Sequence, residues 1–168
     1  MKNLRYLIII SLAVLFVSGV DAQKFGHINN QDLFTAMPEA DSAQAKIESL
    51  NREYQLQVEE MTVELNKKYD DYLTNRDSYT DLIRQTKEAD ITEMQQRIQA
   101  FEQNAQQDLQ VKQQEYLQLI MEKANNAVRE VAEENGFIYI FDVSRGNPVF
   151  WSDESEDILP LVKAKLGI

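Results

Sequence analysis

His27 is the chain's only histidine and there is no cysteine, so multi-histidine or thiolate metal sites and a cysteine nucleophile are excluded. Carboxylates are plentiful. The adjacent pairs Glu59-Glu60, Asp70-Asp71 and Glu133-Glu134 lie in strongly helical sequence, where neighbours diverge by about 100° around the axis. Such pairs belong to a solvated face; they do not converge on a metal. There is no G-x-S-x-G, no H-E-x-x-H and no glycine-rich phosphate loop. His27 falls in a short strand-like segment, where a structural role suffices. Ten of the 24 residues from Gln95 to Gln118 are Gln, but charges and helically spaced apolar residues interrupt them. That composition makes an uncharged polar helix face, not a prion-like tract. The expectation is a protein that is not an enzyme, with no catalytic, cofactor-binding or metal residues.

What remains able to act is apolar and aromatic surface, and its spacing shows which elements carry it. Gly and Pro are absent from the 97 residues between Glu39 and Asn135, where Gln, Glu, Lys, Leu, Ala and Met abound. In the first half, Ile47, Leu50, Tyr54, Val58, Met61, Leu65, Tyr69 and Tyr72 recur at steps of three and four residues. The 11-residue repeat they form favours a nearly straight or slightly right-handed helix pairing over a left-handed heptad coil. Ile91, Met94, Ile98, Phe101, Ala105, Leu109, Tyr116, Ile120, Ala124, Ala127 and Val131 continue the stripe. Between them, at residues 74–81, the stripe lapses into small hydroxyl and carboxyl side chains, and Ser78 followed by Asp81 resembles a helix cap. The spacing predicts an antiparallel helical hairpin over residues 39–135 with its tip near 75–82. Two such helices would reach about 60–70 Å, against about 145 Å for one unbroken helix. At the tip, Tyr69, Tyr72, Leu73, Tyr79, Leu82 and Ile83 exceed what one partner helix can cover, so they either pack within the hairpin or form a binding surface.

The flanks have strand character. Residues 24–28 read as a short strand and 29–36 as a short capped helix or turn ending before Pro38. Gly136 stops the long helix, Phe137 to Val143 form a β-branched and aromatic strand, and 144–147 make a turn. A second strand is expected to begin at Pro148-Val149-Phe150-Trp151. Ser155 or Asp157 then caps a final helix through Leu166, with Pro160 in its first turn. Three short strands are too few for an independent core. The residues 23–38 and 136–168 are therefore expected to form a β-rich body that oligomerises. Phe25, Ile28, Phe137, Ile138, Tyr139, Ile140, Phe141, Val143, Val149, Phe150 and Trp151 are its expected contacts.

The 168 residues carry 17 basic and 28 acidic side chains, a net of −11, which argues against nucleic acid. Lys2 and Arg5, the apolar run Leu7 to Val17, and Val20-Asp21-Ala22 form a secretory leader over residues 1–22, with cleavage expected after Ala22. The apolar core is shorter than the about 20 residues a membrane span needs, and lipid attachment would require a cysteine. Cleavage leaves 15 basic and 27 acidic residues, a net of −12. With no disulfides available, an exported chain of this kind relies on packing or assembly.

The order of features resembles the Skp/OmpH-like periplasmic chaperones of Gram-negative bacteria. The matching residues are the leader, the strand with Ile28, Leu33-Phe34, Met37-Pro38-Glu39, Gln99-Ala100-Phe101-Glu102-Gln103, Val131 to Phe137, and Phe141-Asp142 before a short terminal helix. The resemblance implies an α+β, mainly α fold: a jellyfish-shaped trimer, with helical hairpins as tentacles projecting from a small β-rich oligomerisation body. It implies ATP-independent holding of unfolded outer-membrane β-barrel proteins in a cavity between the tentacles, in the periplasm. On this basis the client-binding set is Tyr69, Tyr72, Leu73, Tyr79, Leu82, Ile83, Met94, Ile98 and Phe101. One departure stands out: residues 45–125 carry 10 basic and 16 acidic side chains, a net of −6, whereas the best-known relatives are strongly basic. No lipopolysaccharide or membrane site is therefore carried over. The alternative reading is an inner-membrane-anchored or periplasmic coiled-coil tether or adaptor.

Overall fold

The computed structural model describes residues 23–146 and 148–168. The leader expected at 1–22 and Asn147 of the expected turn lie outside the described residues. The element order is β1 (Lys24–Ile28), α1 (Asn30–Ala36), α2 (Pro38–Asn75), a 3-10 turn (Arg76–Ser78), α3 (Asp81–Glu134), β2 (Phe137–Asp142), β3 (Glu156–Asp157) and α4 (Leu159–Leu166). The chain divides into two units, one of Gln31–Ala127 with Ile168, the other of Val128–Gly167 with the residues up to Asn30. No helix among the described residues is long and apolar enough to cross a membrane.

In the helical unit, Met37 precedes Pro38 in the extended conformation that a following proline imposes, with φ −79° and ψ 122°. Pro38 opens α2 without losing a bond, and Glu39 and Asp41 complement the helix dipole in the first turn. The two long helices are antiparallel, as their cross-links show. Glu39 pairs with Lys123, Lys46 lies over the Tyr116 ring, Tyr54 bonds Asp108, and Asp71 bonds Lys87. Along α2, every member of the predicted stripe except Tyr69 is half-buried and none is fully buried. Along α3, Ile91, Met94, Ile120, Ala124 and Ala127 are buried. The cap of α3 is Thr80, not Ser78: the Ile83 N–H donates to Thr80 Oγ1 at 3.4 Å, while Ser78 Oγ donates to the Asn75 carbonyl at 2.6 Å. The hydroxyl directly before the first helical residue is the one within reach of the free N–H groups.

The second unit is a parallel sheet in the order β2-β1-β3. Lys24 pairs with Phe137 but Phe25 with Tyr139, so Ile138 is an extra residue in β2, a bulge. Gly26 faces the inner side, where a Cβ would meet Ile140 Cδ1 at 2.8 Å, Phe137 Cε1 at 3.0 Å and Ile158 Cγ2 at 3.1 Å. Ile28, Ile158 and Val162 are buried in the same unit. Gly136, at φ +69°, turns the chain from α3 into β2.

The expected second strand at 148–151 is not a strand; β1 takes Glu156–Asp157 on its free edge instead. Pro148 has no N–H to offer a ladder, and the Ile158 N–H bonds the His27 carbonyl at 3.0 Å, fixing the later segment in place. Asp157 Oδ1 accepts the Leu159 N–H at 2.9 Å at the start of α4, and Pro160 lies in the first turn as expected.

Gly26→Val tests this packing against strand propensity, which favours Val. The replacement is expected to destabilise the protein by about 1–3 kcal/mol through overpacking. Urea denaturation reads it; an unchanged or raised midpoint would contradict the close approach.

Candidate functional site

Two exposed apolar surfaces stand out, one in each unit. The first is the hairpin tip. Asp71 is its polar centre: Oδ2 accepts Lys87 Nζ at 2.8 Å and the Tyr79 hydroxyl at 3.2 Å, and Oδ1 accepts Asn75 Nδ2 at 2.9 Å. The Tyr72 hydroxyl donates to Glu88 Oε1, and the Lys87 ammonium lies 5.9 Å from the Tyr79 ring centre. The Lys87 ammonium holds the Asp71 carboxyl below its usual range, helped by Tyr79 and Asn75; in return Asp71 raises Lys87. The Glu88 carboxylate pushes the Tyr72 hydroxyl up.

Beside these side-chain cross-links, the tip presents Tyr69, Leu73, Leu82 and Ile83, which are 48%, 48%, 74% and 44% exposed. Tyr72 and Tyr79 are half-buried and their hydroxyls are engaged. Met94 is 2% exposed and belongs to the hairpin interior. It sits on the inward stripe of α3, where the partner helix covers it. Ile98 and Phe101 are half-buried, and Phe101 meets the Tyr54 ring edge-on at 5.9 Å and 88°. Thus four of the nine expected residues are open to solvent, four are partly covered, and one is buried.

Sequence reasoning missed a second group, Leu56, Val63, Val111, Leu117, Leu119 and Met121, all exposed along the shafts. The available signal was their position off the three- and four-residue stripe. Leu119 lines a cavity of about 290 Å³ with Tyr116, Ile120, Lys46 and Lys123.

The second surface is the outer face of the sheet. Phe25, Tyr139 and Phe141 stack on one another with ring centres 6.2–6.5 Å apart, yet remain 37%, 61% and 42% exposed. His27 Nδ1 lies 3.0 Å from Ser155 Oγ, and its ring is 5.2 Å from that of Trp151. Ile138, Val149, Phe150 and Trp151 are exposed, Phe137, Ile140 and Val143 are half-buried, and Ile28 lies inside the unit. Among the described residues, no group of three or more His, Cys, Asp or Glu could hold a metal ion.

A long helical hairpin and a small sheet each leave apolar side chains uncovered. The family model for OmpH-like outer membrane proteins matches residues 24–166, and the chain belongs to that family. A crystal structure of a provisionally named outer membrane chaperone (OmpH-like) from Caulobacter crescentus CB15 superposes with a TM-score of 0.72. It shares 12% identity and the match covers 88% of this chain and 86% of that one. The comparison with curated proteins gives no match.

The tip clasp has a pH dependence of defined sign. The folded Asp71 carboxyl titrates below its unfolded value of about 3.9, so its contribution is present above that pH and lost as pH falls through the lowered value. Asp71→Asn is expected to speed amide exchange across residues 72–83 at neutral pH with unchanged global melting. Unaltered exchange there would show that Asp71 does not hold the tip.

Proposed function

We propose that the chain is an ATP-independent periplasmic holdase that binds unfolded outer-membrane β-barrel proteins and prevents their aggregation. The observation that carries this reading is the tip, where Tyr69, Leu73, Leu82 and Ile83 are open to solvent beside the Asp71–Lys87 cross-link. Membership of the OmpH-like family supports it, as does the fold shared with the Caulobacter protein named a chaperone. Holding without an energy source relies on many weak, exchangeable contacts, and apolar side chains spread along a long hairpin supply them. No step of this activity calls for a catalytic group.

In this reading residues 39–135 form the tentacle and residues 23–38 with 136–168 form the body. Three copies assemble through the stacked Phe25, Tyr139 and Phe141 face and the exposed Val149-Phe150-Trp151 segment, because stacked rings left in water favour a covering partner. The client-binding set keeps Tyr69, Tyr72, Leu73, Tyr79, Leu82, Ile83, Ile98 and Phe101.

Light scattering of the exported protein with urea-diluted porin tests the reading. Free trimer, a complex of defined mass and suppressed turbidity are expected. Leu82→Ser combined with Ile83→Ser is expected to weaken holding about tenfold or more, since each such side chain that a client covers contributes on the order of 1–2 kcal/mol. Full holding by that variant would remove the tip from the binding surface. Mass spectrometry of the exported protein is expected to find Gln23 at the N-terminus. A retained leader would favour the anchored tether.

A further inference from the structure

The charges of the hairpin are segregated. From Lys67 to Lys87 five basic side chains meet four acidic ones, whereas the rest of residues 45–125 carries five basic and twelve acidic. Bonds within the chain then withdraw most of the shaft's cations. Lys46 lies over Tyr116, Lys112 bonds Glu115 and Lys123 bonds Glu39, leaving Arg52 and Arg97. The carboxylates are not withdrawn to the same extent. Glu53, Glu59 and Glu60 on α2, and Glu93, Glu102 and Glu122 on α3, are exposed and make no ion pair or hydrogen bond among the described residues.

These carboxylates share their surface with apolar side chains. Glu53, Leu56, Glu60 and Val63 follow one another at steps of three, four and three residues, which places them in one row on α2. Leu56 is 60% and Val63 46% exposed. A row about 15 Å long that alternates free carboxylate and free aliphatic side chain complements one kind of partner. That partner is a polypeptide segment in which basic side chains are interspersed with apolar ones.

We propose that the acidic shafts make this protein select cationic unfolded chains, the apolar side chains supplying the hold and the unpaired carboxylates choosing the client. The inference rests on the holdase reading above. The selecting field is a surface one, so it acts within a Debye length of about 8 Å at physiological salt and fades as salt rises.

The test uses one urea-unfolded porin in two chemical forms, carboxyl-amidated (cationic) and lysine-succinylated (anionic), each diluted into the protein. At low salt the cationic form is expected to bind about tenfold tighter, and the difference is expected to shrink at high salt. The variant Glu53→Gln, Glu60→Gln, Glu93→Gln, Glu102→Gln is expected to lose the preference. These side chains make no bond within the fold, and circular dichroism confirms that the variant is helical. Equal binding of the two forms, or tighter binding of the anionic one, overturns the selectivity and leaves the holdase reading standing. Failure to hold either form, or unmodified porin, overturns both.

Discussion

Two helices side by side can hide one stripe of each, and no third layer exists in the hairpin to hide more. The stripe residues of α2 are half-buried for this reason, and full burial in the helical unit falls chiefly on α3, at Ile91, Met94, Ile120, Ala124 and Ala127. Apolar contact alone fixes register weakly in such a pair. Specific cross-links supplement it at intervals: Glu39–Lys123 and Lys46–Tyr116 at one end, Tyr54–Asp108 midway, and Asp71–Lys87 with Tyr72–Glu88 near the tip. Individually, exposed ion pairs are worth at most about 1 kcal/mol. Their importance here is directional, because each one specifies a neighbour. The same shortage of cover leaves Leu82, Leu119 and Leu56 in water.

The sheet unit meets a related shortage by a different route. Parallel strands ordinarily have both faces covered. Here the inner face closes tightly around Gly26, with Ile28, Ile158 and Val162 buried, while the outer face keeps a stack of three aromatic rings. The bulge at Ile138 resets the alternation of β2 and lets Phe137 and Ile140 turn inward while Tyr139 and Phe141 point out.

The hairpin was legible because its signals are local and repeated: 97 residues without Gly or Pro, and an apolar stripe at steps of three and four residues. Strand β1 and the strand after Gly136 were legible from β-branched and aromatic residues in short runs. Less legible was whatever depends on partners distant in sequence. Glu156–Asp157 has the composition of a turn and becomes a strand because β1 has an unfilled edge. Val149-Phe150-Trp151 has the composition of a strand and finds no edge among the described residues. At the tip, hydrophobicity identified the right neighbourhood, but Met94 could not be told from Leu82 until the partner helix was in place. The acid excess was visible in composition, whereas which cations are already engaged was a matter of geometry.

The middle strand of the sheet is the first element of the described chain, and both of its neighbours lie beyond residue 136. Such pairing has high contact order, and its loop-closure entropy falls due before any ladder bond forms. The intervening helices are local structures that assemble on a shorter timescale. For a chain emerging N-terminus first, Phe25 and its strand wait unpaired through the emergence of about a hundred residues, and the last thirty or so complete the sheet. A chain cut short at Gly136 would keep the sequence of the whole hairpin and lose both strands that flank β1.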